Sequence, residues 1–260
     1  MKIFGYLPGG KGLHHFSPSR LFLDPDSRTA VVLNPKVGST FLRDALANGF
    51  RTYRGRQDPS DGRYRLMKMA RKFPMARTSD YLEALRHPDR YEFHALVRNP
   101  YSRLKSAWKD KFFNGHHKGY PRSMRDGELA KMRRFARQTG LEGAKDGELV
   151  PFDTFLESAL TEPLGRMNHH WDAQSGVLMM DRFRYARLFH IEDQRDEALA
   201  VIGARLGFPA DWADGDGGKR NSSGVDEVTV FDQARADRVY RRFIRDFEAL
   251  GYDRDSWTGL

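Results

Sequence analysis

One local order occurs twice along this chain: a short apolar run, a tight loop, then apolar residues at helical spacing. In the first instance residues 29–33 read TAVVL, the loop NPKVGST follows, and Phe41, Leu42, Ala45 and Leu46 recur with a helical period within FLRDALANGF. In the second, residues 91–97 read YEFHALV, Arg98-Asn99-Pro100 makes a turn, and Leu104, Ala107, Trp108 and Phe112 recur at helical intervals. Pro100 suits the first helical position, where its missing N–H costs nothing. A continuous β-branched run bounded by loops reads as a strand buried on both faces. Strands that alternate with helices build a parallel sheet covered on both sides. The expected fold class is therefore α/β, a central parallel sheet flanked by helices, in a single domain over residues 1–260.

The remaining stretches fit around that frame. Residues 1–27 are rich in Gly, Pro and Ser and read as an irregular N-terminal arm. Residues 51–90 carry many Arg and Lys with weak periodicity, with a short helix expected around Met67, Met69, Ala70 and Phe73. Residues 114–150 are polar and basic, with a helix expected over 126–138; this segment is either an acceptor-side insertion or plain surface. A helix is expected from 151–160, a strand over 184–191 (RYARLFHI), and a helix over 194–206 ended by Gly207. A Gly- and Asp-rich loop at 211–224 precedes a long helical stretch over 226–250, closed by Gly251.

Composition narrows the partners. At 260 residues the chain is long enough to bury a real core. Lys and Arg total 44 against 35 Asp and Glu, a net charge of +9, which favours anionic partners without choosing among them. There is no cysteine, so neither disulfides nor thiol chemistry are open to it. The N-terminal residues lack the apolar run of a signal peptide. No segment approaches the about 20 apolar residues of a membrane span. The expectation is a cytoplasmic protein without integral membrane association.

The two loops carry the chemistry. A loop that leaves a strand and enters a helix presents free backbone N–H groups and the positive end of the helix dipole, which suits a phosphate. Gly38 permits close approach of the backbone, Lys36 supplies a point charge, and Ser39 and Thr40 supply hydroxyls. A plain strand-to-helix turn with a capping serine is the alternative. The loop is not a standard P-loop, in which Lys follows the second Gly; here Lys36 precedes Gly38. Arg98 stands at the end of the second strand, and ligands of parallel sheets bind where neighbouring strand ends converge. Arg98 offers a planar fork for a second phosphate, with Ser106 on the next helix as a further donor.

Together, PKVGST and RNPYSRLKSAW resemble the signature with which sulfotransferases bind 3′-phosphoadenosine 5′-phosphosulfate (PAPS). The arrangement is most similar to the carbohydrate sulfotransferase group and its soluble bacterial relatives. Further matches follow in order: His170-Trp171 with Gln174, the stretch from Tyr185 to Glu192, and DFEALGYD from Asp246. The resemblance implies a P-loop-like sulfotransferase fold. It implies that Lys36 with Val37, Gly38, Ser39 and Thr40 holds the 5′-phosphosulfate, and that Arg98 and Ser106 hold the 3′-phosphate. Residues 219–223, Arg220 among them, either close over the nucleotide or form a solvated loop. The implied reaction is in-line displacement of the sulfuryl group by an acceptor hydroxyl, on a glycan or glycolipid. Lys36 would stabilise the leaving oxygen, and no metal is expected. Animal members of the group usually carry a membrane anchor and paired cysteines, and this sequence shows neither.

A base is needed for the acceptor proton, and histidine suits that near neutral pH. Among nine histidines, His170 lies in the segment that resembles the family's; a packed or capping role is its alternative, and Asp172 is a reserve base. His169 is its neighbour, and His94 alternates within a strand and reads as core. Two other classes remain open at this stage. A nucleotide or small-molecule kinase-like phosphotransferase would need Mg²⁺ and prefer ATP. A basic nucleic-acid-binding protein would show steep salt dependence, yet no aromatic-basic recognition motif is present and no nucleic-acid partner is expected. An inactive protein of the same fold is a third alternative.

Overall fold

A computed structural model describes residues 16, 17, 20–53, 76–113, 122–143, 145, 149–213, 229–258 and 260. Its strands are β1 (Leu21–Asp24), β2 (Thr29–Val32), β3 (Glu92–Val97) and β4 (Tyr185–His190). The helices are α1 (Ser39–Tyr53), α2 (Thr78–Arg86), α3 (Pro100–Trp108), α4 (Arg122–Thr139), α5 (Phe152–Thr161), α6 (Gln174–Val177), α7 (Arg195–Arg205), α8 (Gln233–Arg242) and α9 (Ile244–Leu250). A π-helical turn, Lys109–Phe113, continues α3.

These residues fall into two compact units. One is drawn from Met1–Arg98 and Gln174–Arg220, the other from Asn99–Ala173 and Asn221–Leu260. The first unit holds the sheet, ordered β1-β2-β3-β4. β2, β3 and β4 run parallel, with Val32 beside Ala95 and Val97 beside His190. The apolar runs of β2 and β3 are buried along their length, as expected of central strands. The C-terminal ends of β2 and β3 therefore share one edge, and the two loops of interest leave from it.

The arm expected to be irregular through residue 27 contains β1, which pairs antiparallel with β2. Four buried residues suffice for this edge strand, and Asp24 ends it by accepting from the Ser27 hydroxyl at 2.6 Å. On α1, Phe50 packs against Phe22 of β1 at 5.0 Å between ring centres. α2, which the weak periodicity of its region concealed, buries Tyr81, Ala84 and Leu85, and the Tyr81 hydroxyl donates to the Leu21 carbonyl at 3.2 Å. The short helix expected around Met67 to Phe73 lies outside the described residues. α7 ends as expected, with Gly207 in the left-handed region at φ 69°.

The second unit is helical around an aromatic core that includes Tyr101, Trp108, Phe155, Trp171 and Phe247. Asn99 caps α3, accepting from Tyr101 N–H at 2.9 Å, with Pro100 in the first turn. The helix expected over 126–138 is α4, and it is not plain surface: Met132 is fully buried in this core, and Ala136 is fully buried as well. The single long helix expected over 226–250 is two. α8 begins at Gln233, capped by Asp232, and the chain breaks at Phe243 before α9. The break buries Phe243, while Gly251 closes α9 at φ 71°.

Candidate active site

In the first unit the loop between β2 and α1 turns on two left-handed residues, Lys36 at φ 69° and Gly38 at φ 63°. For glycine that conformation is easy. A residue with a Cβ pays about 1–2 kcal/mol for it, so the loop holds Lys36 under backbone strain. A Cβ on Gly38 would also meet Ile191 Cδ1 at 3.3 Å. The Gly38 carbonyl accepts the Leu42 N–H at 2.9 Å and so opens the hydrogen-bond ladder of α1. Val37 is buried, Lys36 and Ser39 are half-buried, and Gly38 and Thr40 are exposed. The first-turn N–H groups of α1 have no acceptor within the helix. Close alternation of left-handed and ordinary backbone turns neighbouring N–H groups toward one side, the geometry of an anion nest.

Arg98 joins this loop. Its Nη1 donates to the Lys36 carbonyl at 3.1 Å, so the two motifs meet at the shared edge of β2 and β3. Gln174, fully buried, fixes the backbone of Arg98 from both sides. Its Oε1 accepts Arg98 N–H at 3.1 Å, and its Nε2 donates to the Arg98 carbonyl at 2.7 Å. The same Oε1 accepts from Asn34 Nδ2 at 2.8 Å, and Asn34 Nδ2 lies 3.3 Å from the Leu96 carbonyl. Asn34 and Gln174 thus tie the start of one motif to the other. Sequence reasoning quoted Gln174 in a motif and gave it no task. The signal available was its type: an amide can donate and accept at once, which is what an exposed strand-end peptide requires.

In the second unit Ser106 sits half-buried in the last turns of α3. Its neighbour Lys105 has its pKa lowered by burial first and by the charge of Lys109 second. Like-charged lysines on one helix face repel, and a bound anion would relieve them. Arg103, which lies between Arg98 and Ser106 in the same stretch, proves structural in a specific way. Its buried guanidinium donates to the Asp172 carbonyl at 2.6 Å and to the His169 carbonyl at 2.8 Å. It thereby holds the whole His169–Asp172 turn.

Within that turn Trp171 is fully buried against Phe112 and Phe155, while His169 and His170 are half-buried, their ring centres 4.3 Å apart. His170 Nδ1 lies 2.6 Å from Asn168 Oδ1. Asp172, the reserve base, closes the same turn. It is 1% exposed, and its Oδ1 accepts from Gly165 N–H at 3.1 Å and Ala173 N–H at 2.8 Å, so it shapes the turn. His94 is core as expected; burial lowers its pKa, which keeps the ring neutral. Arg220 and residues 219–223 lie outside the described residues. Among the described residues no group of three or more His, Asp or Glu side chains could hold a metal ion, and no helix is long and apolar enough to cross a membrane.

A family model described as the sulfotransferase family matches residues 19–253. No curated protein and no solved structure matches the chain.

Proposed function

The chain belongs to the sulfotransferase family, and from that premise we propose that it moves a sulfuryl group from PAPS to an acceptor hydroxyl, on a glycan or glycolipid. The observation that carries this reading is the hydrogen bond from Arg98 to the Lys36 carbonyl, which couples the two loops at one sheet edge. The nucleotide fits the residues present. A loop with two left-handed residues, one of them glycine, suits a 5′-phosphosulfate, and a guanidinium anchored beside it suits a 3′-phosphate.

PAPS would supply an activated sulfuryl group on a good leaving group. Lys36 and the N–H groups from Val37 to Thr40 bind the 5′ end, where negative charge grows on the oxygen that leaves. A cation held ready at that oxygen lowers the barrier more than it stabilises the ground state. Arg98 and Ser106 bind the 3′-phosphate, and Arg220 is a further ligand of the nucleotide on the family's pattern. His170 takes the acceptor's proton. The family match runs through both compact units, which supports one sulfotransferase domain over 1–260. The cysteine-free composition supports a cytoplasmic location.

The test is transfer itself. With PAPS and a panel of sugars and glycolipids, the protein is expected to release adenosine 3′,5′-bisphosphate and yield an acceptor heavier by one SO₃, with chelators present. Phosphorylated product from Mg²⁺-ATP, and none from PAPS, would replace this reading with the kinase-like one.

A further inference from the structure

His170 does not stand alone in its turn. Asn168 Oδ1 accepts the His170 backbone N–H at 3.1 Å and sits 2.6 Å from its Nδ1. On its other side Asn168 Nδ2 donates to Glu128 Oε1 at 2.9 Å. Chemistry fixes which way round this amide lies. An ionised carboxylate only accepts, so the NH₂ end must face Glu128 and the oxygen must face the imidazole. An amide oxygen in turn only accepts, so His170 Nδ1 must carry the proton. The lone pair of the neutral ring is then on Nε2.

We infer that Glu128 and Asn168 are positioning residues that hold His170 in the Nδ1-protonated tautomer, leaving Nε2 to receive the acceptor's proton. The inference rests on the reading of His170 as the base. Glu128 lies on α4, in the segment 114–150 for which sequence gave no task, so that segment gains one here. Asn168 is also short and held at both ends, so it restrains the ring's orientation as well as its proton. The His169 imidazole lies beside the ring, 4.3 Å away between centres. Asn168 Oδ1, 2.6 Å from Nδ1, is the side-chain contact that sets the tautomer.

Two measurements test this. Nitrogen-15 NMR of the whole protein with labelled histidine reads the His170 tautomer without any turnover. It is expected to show Nδ1–H in the wild type and a mixture of tautomers in Asn168→Ala. Kinetics then read the consequence. Asn168→Ala is expected to lower kcat by about 10- to 100-fold, the range seen for partners that orient metal-binding imidazoles, with PAPS affinity unchanged. The double variant Asn168→Asp with Glu128→Gln keeps an acceptor facing His170 Nδ1 and reverses the other hydrogen bond, whose donor is now the amide introduced at position 128. Its new carboxylate favours the imidazolium, so kcat should recover at high pH while the acid limb of the pH profile moves upward. A base other than His170 would show no such movement of the limb. An Nε2-protonated ring in a wild-type enzyme that His170→Ala inactivates would overturn the relay alone. Near-normal turnover by a folded His170→Ala protein would overturn the base reading, and the relay with it.

Discussion

Replacing His170 with alanine is expected to cut turnover by roughly 10²- to 10⁴-fold, the usual worth of a general base, which is about 3–5 kcal/mol of barrier. PAPS affinity should stay nearly unchanged, because the ring is assigned to the acceptor's proton and not to the nucleotide. Loss of kcat without loss of binding marks an interaction made only on the way to the transition state. The turn should survive the change. Trp171 anchors it from the core, and Arg103 grips two of its carbonyls, neither of which belongs to the imidazole. His169→Ala is the internal control: it keeps the carbonyl that Arg103 holds and should retain most activity. The measurement is steady-state kinetics beside nucleotide binding on the same preparations. Normal turnover by His170→Ala would remove it as the base. Asp172, buried and accepting two backbone N–H groups through Oδ1, would be tested next.

Lys36 is expected to show the opposite pattern, with turnover and nucleotide binding lost together. Its ammonium is assigned to an anion that is charged in the ground state and more so at the leaving oxygen later. Removing one donor of this kind typically costs roughly 10²- to 10³-fold in kcat, and a charge-assisted contact is worth about 1.5–3 kcal/mol of binding. The backbone offers a way to separate this from damage to the loop. Lys36 sits at φ 69°, where alanine is strained and glycine is not. Lys36→Ala and Lys36→Gly should therefore be equally inactive. The glycine variant should be the more stable to heat or denaturant, by about 1 kcal/mol. An active glycine variant would show that the side chain is not needed. Equal stability of the two would show that the loop relaxes out of the left-handed region.

Much of this was legible in the sequence for a plain reason. β2 and β3 are buried on both faces, so nearly every residue in them had to be apolar, and the pattern shows through without any partner. Their loops were legible because glycine, proline and cations at strand ends are rarely placed there by packing alone. β1 was hidden because an edge strand of four residues carries too little periodicity to stand out from a Gly- and Pro-rich arm. The break at Phe243 was hidden because the buried Ala236, Val239, Phe243, Phe247 and Leu250 keep one helical spacing across it.

The candidate site divided in the same way. Residues assigned to the nucleotide, such as Lys36 and Arg98, announce themselves by charge at a loop. Residues that hold them do not. Gln174, Arg103 and Asn168 act through contacts to residues far along the chain or to backbone, and a polar side chain on a helix or turn gives no sign of that. Arg103 is the clearest case: it stands in the same motif as Arg98 and Ser106, and its sequence position gives no sign that its buried guanidinium grips two carbonyls.

The central claim is that this chain recognises an adenosine nucleotide by its 3′-phosphate, and calorimetric titration tests it most directly. Adenosine 3′,5′-bisphosphate should bind the wild type well and 5′-AMP poorly. Arg98→Ala should weaken the bisphosphate by about 10- to 100-fold, the equivalent of one charge-assisted contact of about 1.5–3 kcal/mol, while AMP changes far less. Equal affinity of the wild type for the two nucleotides, or equal losses for both in Arg98→Ala, would contradict the account.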